Sequence, residues 1–110
     1  MRILIDECLP QEIMAAFRAA EILSVPEAGL AARSDTALLD AMEGRFEVFV
    51  TVDKSLRFQH DLARRRVGFR VLRAESNRIE TFLPHFATLR AAAFKVKPGQ
   101  VLEIDLEKTP

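Results

Sequence analysis

The chain has 110 residues and a mass of 12.4 kDa, enough for one hydrophobic core, so we expect a single domain over residues 1–110. Hydrophobic residues make up 49% and charged residues 29%, which excludes a disordered chain, and no apolar run reaches the roughly 20 residues that span a bilayer. The net charge is zero, the N-terminus lacks the features of a secretory signal, and the single cysteine, Cys8, cannot form an internal disulfide, so we expect a cytoplasmic protein without membrane contact.

The N-terminal part predicts a strand, a helix and a second strand. Residues 2–5 (RILI) are typical of a short buried strand, and Pro10 suits the first turn of a following helix. Residues 22–25 (ILSV) predict the second strand, which Pro26 stops. The helix between them should pack on a sheet through an apolar face formed by Ile13, Met14, Phe17 and Ala20.

A second helix is predicted within ARSDTALLDAMEG, residues 32–44. Ser34 is its expected N-cap, Asp35 suits the positive end of the helix dipole, and Gly44 ends it. Residues 46–53 (FEVFVTVD) follow and are apolar on both faces, which is typical of a central strand in a parallel sheet covered by helices. The inner face of the helix would consist of Leu38, Ala41 and Met42.

The next segment predicts a third helix over residues 55–66 (SLRFQHDLARRR), a break at Gly68 and a fourth strand over residues 69–72 (FRVL). Residues 54–78 carry eight bases and two acids, whereas residues 1–53 carry ten acids and four bases. This asymmetry predicts cation binding beside polyanion binding, although a solvent-exposed helix face also explains the run of arginines.

The C-terminal part predicts a final helix and a final strand. Asn77 and Glu80 have the spacing of a capping box, and Pro84 starts or kinks a turn in the helical segment that follows. KPGQ, residues 97–100, predicts a turn between FKV and VLEI, which gives a terminal strand or hairpin. Together the elements predict a three-layer α/β/α sandwich with a central, mainly parallel sheet. The apolar face of the final helix would contain Ile79, Phe82, Leu83, Phe86 and Leu89.

Two predicted strands end in the same way, with Asp6 and Glu7 after the first and Asp53 and Lys54 after the central one. In an open parallel sheet, ligands bind outside the carboxyl ends of the strands where the strand order reverses, so neighbouring strands would bring Asp6 and Asp53 together. Two close carboxylates repel each other and need a shared proton or a divalent cation. A site of oxygen ligands with room for water suits Mg²⁺ or Mn²⁺.

A third acid, Asp35, is predicted at the same edge, because helices that follow parallel strands begin at the carboxyl end of the sheet. Each acid alone also has a structural interpretation, such as a helix N-terminal charge for Asp35 or a helix cap for Asp53. The placement of all three at one edge favours a functional site.

Three motifs at this edge resemble those of the PIN-like nucleases, specifically small stand-alone PIN-like proteins that are often thought to be toxins of toxin–antitoxin pairs. They are ILIDE-x-LP at the N-terminus, Gly-Leu-x-x-x-Ser-Asp (residues 29–35) and VFVTVDKS (residues 48–55). The resemblance covers residues 2–75. It implies a PIN fold and metal-dependent ribonuclease activity, with RNA as substrate and an antitoxin protein as partner, and it allows a homodimer.

The resemblance also implies roles for particular residues. Asp6, Asp35 and Asp53 match the metal-binding carboxylates, and Asn77 is the candidate for a fourth acidic or amide group that PIN domains often place after the next strand. Relatives commonly carry a second acid two positions after Asp53, where this chain has Ser55. The incomplete set of acids implies weak or absent binding of a second ion, and low or lost activity.

Phosphodiester hydrolysis needs an activated water and neutralisation of developing negative charge, both of which a divalent ion supplies. Asp6 and Asp53 would bind the ion, and Asp35 would bind it or orient the water. Lys54 would neutralise phosphate or pair with a carboxylate. Base stacking is not expected, because the chain lacks Trp and Tyr and most of its eight Phe residues follow core periodicity. The phosphate backbone would be attracted by Arg33, Arg57 and Arg73.

Two other functions fit part of the pattern. A receiver-like signalling domain also has an acid pair after its first strand and an aspartate after a central one, but it needs a lysine after a later strand, and the last strand candidate, VLEIDLE, contains none. A PIN-fold module that has lost catalysis and binds RNA or protein is the other alternative, because Ser55 replaces an acid. His60 and His85 are expected at the surface in helices away from the site.

Overall fold

A computed structural model describes residues 1–17, 21–93 and 95–107 of the chain. It contains five short strands: β1 (Arg2–Ile5), β2 (Glu21–Ser24), β3 (Val48–Thr51), β4 (Gly68–Arg73) and β5 (Val101–Asp105). They form one sheet in the order β2-β1-β3-β4-β5, and all four pairings are parallel. The predictions of a parallel sheet and of a central position for β3 are therefore confirmed.

In the described part of the chain, four α-helices and three 3₁₀ helices connect these strands. The α-helices are α1 (Asp35–Met42), α2 (Leu56–Gln59), α3 (Ile79–Phe82) and α4 (Phe86–Ala93). The 3₁₀ helices are Gln11–Ala16, Leu62–Arg64 and Leu83–His85. Within the described ranges, no helix is long and apolar enough to cross a bilayer.

Alternate residues of the strands enter two separate cores, one on each face of the sheet. Ile3 and Ile5 of β1 belong to the core that also contains Ile13 of the first 3₁₀ helix and Leu89 of α4. Leu4 belongs to the opposite core, with Leu39 and Met42 of α1 and Phe49 of β3. Because side chains of a strand alternate between faces, each strand joins helices on both sides, and the α/β sandwich is the result.

The strand order reverses between β1 and β3. The chain leaves β1 to form β2 on one side and then returns to form β3 on the other. The crossovers that follow β1 and β3 therefore diverge, which opens a crevice beyond the carboxyl ends of these two strands.

The helix predicted over residues 55–66 is wrong in its extent. The structure has the single turn of α2, then extended backbone at His60 (φ −136°, ψ 148°), then the 3₁₀ turn Leu62–Arg64. The break lets Leu56 and Leu62 both enter the core under β3 and β4, whereas the exposed side chains of the segment stay in solvent.

Gly68 was predicted as a break but is the first residue of β4. A Cβ atom at this position would lie 2.8 Å from Val96 Cγ1 and 3.0 Å from the carbonyl oxygen of Lys97. Glycine is needed there because the loop before β5 packs directly on the strand, and not because the backbone turns.

One prediction in the C-terminal part is also wrong. Asn77 and Glu80 form no capping box, because Arg78 precedes α3 without a side-chain cap and Asn77 bonds elsewhere. The prediction of a terminal strand or hairpin at VLEI is confirmed in its first form, because β5 is a strand that pairs with β4 in parallel. Pro84 does lie in a 3₁₀ turn, as predicted. Ala20, predicted on the first helix face, and Phe94 of FKV lie outside the described residues.

Candidate active site

The crevice beyond β1 and β3 is a small cleft in which the three predicted acids meet. Its volume is about 60 Å³, enough for an ion and a few water molecules. Its polar lining consists of Asp6, Glu7, Arg33, Asp35 and Asp53, and its apolar lining of Leu38, Leu39, Phe49 and Leu56. The strand-end pattern thus places Asp6, Asp35 and Asp53 around one cleft, as expected from the reversal of strand order.

Asp6 is held against β3 by hydrogen bonds. Its backbone N–H donates to the carbonyl oxygen of Val50 at 2.9 Å, which continues the β1–β3 ladder by one residue. Its Oδ2 accepts from the Thr51 hydroxyl at 2.6 Å, and its Oδ1 accepts from the backbone N–H of Glu7 at 2.8 Å. The carboxylate is therefore fixed by neutral donors that orient it without cancelling its charge.

Thr51 connects two of the acids. It is the last residue of β3 and is completely buried. Its Oγ1 donates to Asp6 Oδ2 and accepts from the backbone N–H of Asp53 at 3.0 Å. One hydroxyl group thus sets the position of both acids, a role that sequence reasoning missed because a threonine in a strand is ordinarily read only as a β-former.

Asp53 is oriented by the residue that replaces the expected second acid. Asp53 Oδ1 accepts from the Ser55 backbone N–H at 3.0 Å and from the Ser55 hydroxyl at 2.7 Å. This arrangement is an Asx-type turn that leads the chain from β3 into α2. Ser55 therefore contributes donors to Asp53 at a position where a carboxylate would repel it.

Asp35 opens α1 next to its N-cap. The Ser34 hydroxyl accepts from the backbone N–H of Ala37 at 3.2 Å, which confirms the predicted cap. The loop before it contains Ala32 in the left-handed region (φ 61°), a conformation that is uncommon for a residue with a Cβ atom. This turn brings Arg33 and Asp35 to the wall of the cleft together.

His60 lies beside Asp35, contrary to its predicted position in a helix away from the site. Its Nε2 is 3.6 Å from Asp35 Oδ2, and its side chain is 21% exposed. The extended backbone after α2 makes this approach possible. No pattern in the sequence identified His60, because the contact depends on where the helix ends and not on spacing.

The four predicted phosphate-binding residues lie in different places on the protein. Arg57 donates to Glu103 Oε1 at 2.8 Å, and Arg73 lies 3.8 Å from Glu103 Oε2, so β5 supplies a carboxylate to both. Arg33 is the predicted arginine that lines the cleft. Lys54 is exposed and lines a neighbouring groove.

Asn77 lies in that neighbouring groove, and the structure does not bring it into the acidic cleft. The groove has a volume of about 290 Å³. The Asn77 side chain donates from Nδ2 to the carbonyl oxygen of Cys8 at 3.1 Å. It therefore ties the segment after β4 to the segment after β1. The groove is lined by Val52, Lys54, Leu72, Ala74, Ser76 and Asn77.

Cys8 borders the site as a half-buried thiol. Burial is the main cause that raises its pKa, and the charge of Asp6 acts in the same direction. Its Sγ lies 4.0 Å from Thr51 Oγ1. A thiol with a raised pKa stays protonated at neutral pH and is a poor nucleophile.

A larger groove, of about 340 Å³, opens on another part of the surface. Among the residues that the structure describes, its lining has three carboxylates and no arginine or lysine, which is poorly suited to phosphate. It is lined by Glu75, Glu80, Thr81, His85, Leu106 and Glu107.

The oxygen ligands that the acidic cleft offers are of the type that a hard divalent cation prefers. Asp6, Asp35 and Asp53 offer carboxylate oxygens, and hydrogen bonds orient two of them, as is usual for metal-binding carboxylates. Across residues 1–17, 21–93 and 95–107, however, no three His, Cys, Asp or Glu side chains are grouped closely enough to hold an ion as they stand. The acids share a cleft without forming a closed set of ligands.

Comparison with known proteins gives no relative from which a function could be transferred. No protein-family model, curated protein or solved structure matches the chain.

Proposed function

We propose that this protein has a PIN-like fold and is a metal-dependent ribonuclease that hydrolyses phosphodiester bonds at the acidic cleft. The observation that carries the proposal is the lining of one small cleft by Asp6, Asp35 and Asp53 at the reversal of strand order. Such crevices are where open parallel sheets bind their ligands. Three carboxylates with one arginine in the wall match the needs of a cation and a phosphate together.

Asp6 and Asp53 are the residues that would hold Mg²⁺ or Mn²⁺, and Asp35 would hold it or orient the attacking water. When bound, such an ion makes the water more acidic and offsets the negative charge that develops on phosphate. Thr51 and Ser55 keep the first two carboxylates aimed through their hydrogen bonds. Arg33 would draw a phosphate group to the wall of the cleft.

The surroundings of the remaining predicted residues determine how each could contribute to RNA binding. Lys54 is exposed near the carboxyl end of β3 and is available to a phosphate that extends beyond the cleft. Arg57 and Arg73 share Glu103, which reduces the charge that they present to RNA. Asn77 would act by holding the segment after β4, because its amide already donates to Cys8.

The decisive experiment incubates the purified protein with short RNA and Mn²⁺ or Mg²⁺, and compares it with Asp53→Asn. The proposal predicts ion-dependent cleavage by the wild type that the variant lacks. Asp105→Asn is the matched control, because it makes the same chemical change at the end of β5, on the opposite side of β4 from β3. Equal background cleavage by wild type and Asp53→Asn would contradict the proposal and favour a binding module without catalysis.

A receiver-like phosphoacceptor is a second candidate, because the strand order 2-1-3-4-5 also occurs in proteins of that class. Asp53 follows β3, where a phosphorylated aspartate would lie. Ser76, after β4, lines the neighbouring groove and bonds with Thr81, so it does not face Asp53 across the acidic cleft. Treatment with a small phosphodonor followed by intact-mass measurement distinguishes the two, since a receiver would gain one phosphoryl group that Asp53→Asn cannot accept.

As part of this proposal, the chain would act in the cytoplasm as the toxin of a toxin–antitoxin pair. A toxin of this kind needs a protein that blocks its cleft until release. The reading frame beside the gene is the place to search for it, and co-expression of its product should abolish the ion-dependent cleavage. The proposal also allows a homodimer, and light scattering on the purified chain measures the oligomeric state directly.

A further inference from the structure

Phe58 is the most exposed large apolar side chain in the part of the chain that the structure describes. It lies on α2, and 77% of it is accessible to solvent. The other large hydrophobic side chains that are exposed, Met1 and Leu83, are accessible to 43% and 53% and belong to different elements. A single exposed phenylalanine is common on protein surfaces and is far too small to form a protein-docking patch by itself, so its use depends on what lies beside it.

Arg57 stacks on the ring of Phe58. Its guanidinium carbon lies 5.0 Å from the ring centroid, within the range of a cation–π contact. The guanidinium is fixed from its other side by Glu103, to which it donates at 2.8 Å. The ring is thereby supported by an ordered cation while most of its surface remains open.

The position of α2 connects this surface with the acidic cleft. Phe58 follows Asp53 by only five residues, so their Cα atoms are at most about 19 Å apart. Leu56, two residues before Phe58 on the same single turn of helix, is buried and lines the cleft, whereas Phe58 faces solvent. A single strand that places one phosphate in the cleft and continues over α2 would bring a base a few nucleotides away to Phe58.

We infer that Phe58, backed by Arg57, is a stacking platform for an unpaired base of single-stranded RNA bound at the cleft. This inference rests on the proposed ribonuclease function and adds a residue that would contact the bound RNA. A stacked base needs one open aromatic face, and Phe58 offers the face that Arg57 does not cover. A duplex hides its base faces in the stack, so the platform would select single strands.

This inference departs from the sequence-based expectation that base stacking is absent. That expectation was based on the core periodicity of most phenylalanines, and five of them are indeed buried. Phe86 is half-buried, and Phe58 is the exposed one among the phenylalanines that the structure describes. The sequence pattern did not indicate that α2 ends at Gln59, one residue after Phe58.

The test measures binding of a short fluorescein-labelled RNA, as a single strand and as a duplex, by fluorescence anisotropy. All variants are made on an Asp53→Asn background, so that cleavage cannot disturb the equilibrium. Loss of one stacked base predicts single-strand binding about 5- to 100-fold weaker for both Phe58→Ala and Phe58→Leu. Phe58→Trp should bind at least as tightly as the background, and duplex binding should be the same in all.

Leu83→Ala is the matched control, because it also removes an exposed apolar side chain, from a 3₁₀ helix elsewhere in the chain. It should leave binding unchanged. Single-strand binding unaffected by Phe58→Ala, or restored by Phe58→Leu, overturns the inference, as does a background protein that binds no RNA. A dimer in the wild type that Phe58→Ala dissociates, measured by light scattering, would assign the ring to a subunit interface instead. Wild-type cleavage, measured separately, reports on the proposed function whichever result is obtained.

Discussion

Two groups of carboxylates in this protein have opposite surroundings. In the acidic cleft, Asp6 and Asp53 accept hydrogen bonds from hydroxyl groups and backbone N–H groups. At the other group, between α1 and the segment before β4, Arg65 donates to Asp40 at 2.6 Å and to Glu43 at 3.3 Å. The first group is bonded by neutral donors, whereas the second shares a cation.

The difference shows which charges are used for structure and which remain for a ligand. Glu43 also accepts from the backbone N–H of Arg66 at 2.8 Å, and this bond, followed by Arg65, lowers the pKa of Glu43. The ion pairs of Arg65 with Asp40 and Glu43 hold α1 against the segment that enters β4, and we call these three residues the latch. Asp6 and Asp53 form no ion pair with any residue that the structure describes, so their charge can serve cation binding.

Asp6→Asn should have the largest effect. The asparagine keeps an oxygen for the Thr51 hydroxyl, so folding should be preserved, but the carboxylate charge is lost. We expect the rate of ion-dependent RNA cleavage to fall by more than about 100-fold. Loss of a residue that only supports a metal ligand usually costs about 10- to 100-fold, and loss of the ligand itself should cost more. Initial rates at saturating Mn²⁺ measure this. A variant with wild-type rates would show that Asp6 is not part of the site.

Thr51→Val should come next. It removes the one hydroxyl that Asp6 and Asp53 share while keeping the shape of the side chain. We expect the half-saturating Mn²⁺ concentration for cleavage to rise by about 10- to 100-fold. Thr51→Ser retains the hydroxyl and is the control. If valine and serine behave alike, the hydroxyl does not organise the cleft.

Arg65→Ala should affect stability and leave activity unchanged. Asp40 and Glu43 lose their shared donor, which we expect to lower the free energy of unfolding by about 1–2 kcal/mol. Urea unfolding measures the loss. A fall in the cleavage rate without a loss of stability would show that Arg65 acts on the cleft and not only on the stability of the fold.

Acid should weaken the latch through Glu43. Its folded-state pKa is lowered, so its contribution to stability is present above its usual pKa of 4.5 and disappears as the pH falls through the folded value. We expect Glu43→Gln to be less stable than wild type at pH 7, and the gap to narrow below about pH 4.5. Urea midpoints across this range provide the measurement, and a constant gap would argue against the assigned pKa shift.

Arg64→Ala should have the smallest effect. Arg64 lies one residue before Arg65 and also forms an ion pair, with Asp61 at 3.0 Å, but its side chain is 88% exposed. Water and salt screen such a pair, so we expect a change below about 0.5 kcal/mol in the free energy of unfolding. A loss of stability as large as that of Arg65→Ala would mean that the exposed fraction of the side chain does not determine how much each arginine contributes.

Much of the fold follows from the sequence because strand and helix patterns are local. The apolar runs in β1 and β3 predicted their central positions, and Ser34 predicted its cap. The acid after each strand then predicted the cleft, since the carboxyl ends of parallel strands lie at one edge.

The features that were missed depend on contacts between distant parts of the chain. The end of α2 at Gln59 exposes Phe58 and brings His60 to Asp35, but helical spacing continued through the segment. Gly68 is required because Val96, 28 residues later in the chain, packs directly against it. The pairing of Arg57 and Arg73 with Glu103 likewise depends on β5 lying parallel to β4, whereas the sequence left a terminal strand or a hairpin open there.

Isothermal titration of Mn²⁺ into the wild type and into Asp53→Asn tests the central claim most directly, because it measures the cation site without assuming a reaction. The account predicts saturable binding to the wild type that is abolished or strongly weakened in the variant, with Asp105→Asn unchanged. Equal heats for the wild type and Asp53→Asn, or no binding of Mn²⁺ or Mg²⁺ to either, would contradict it.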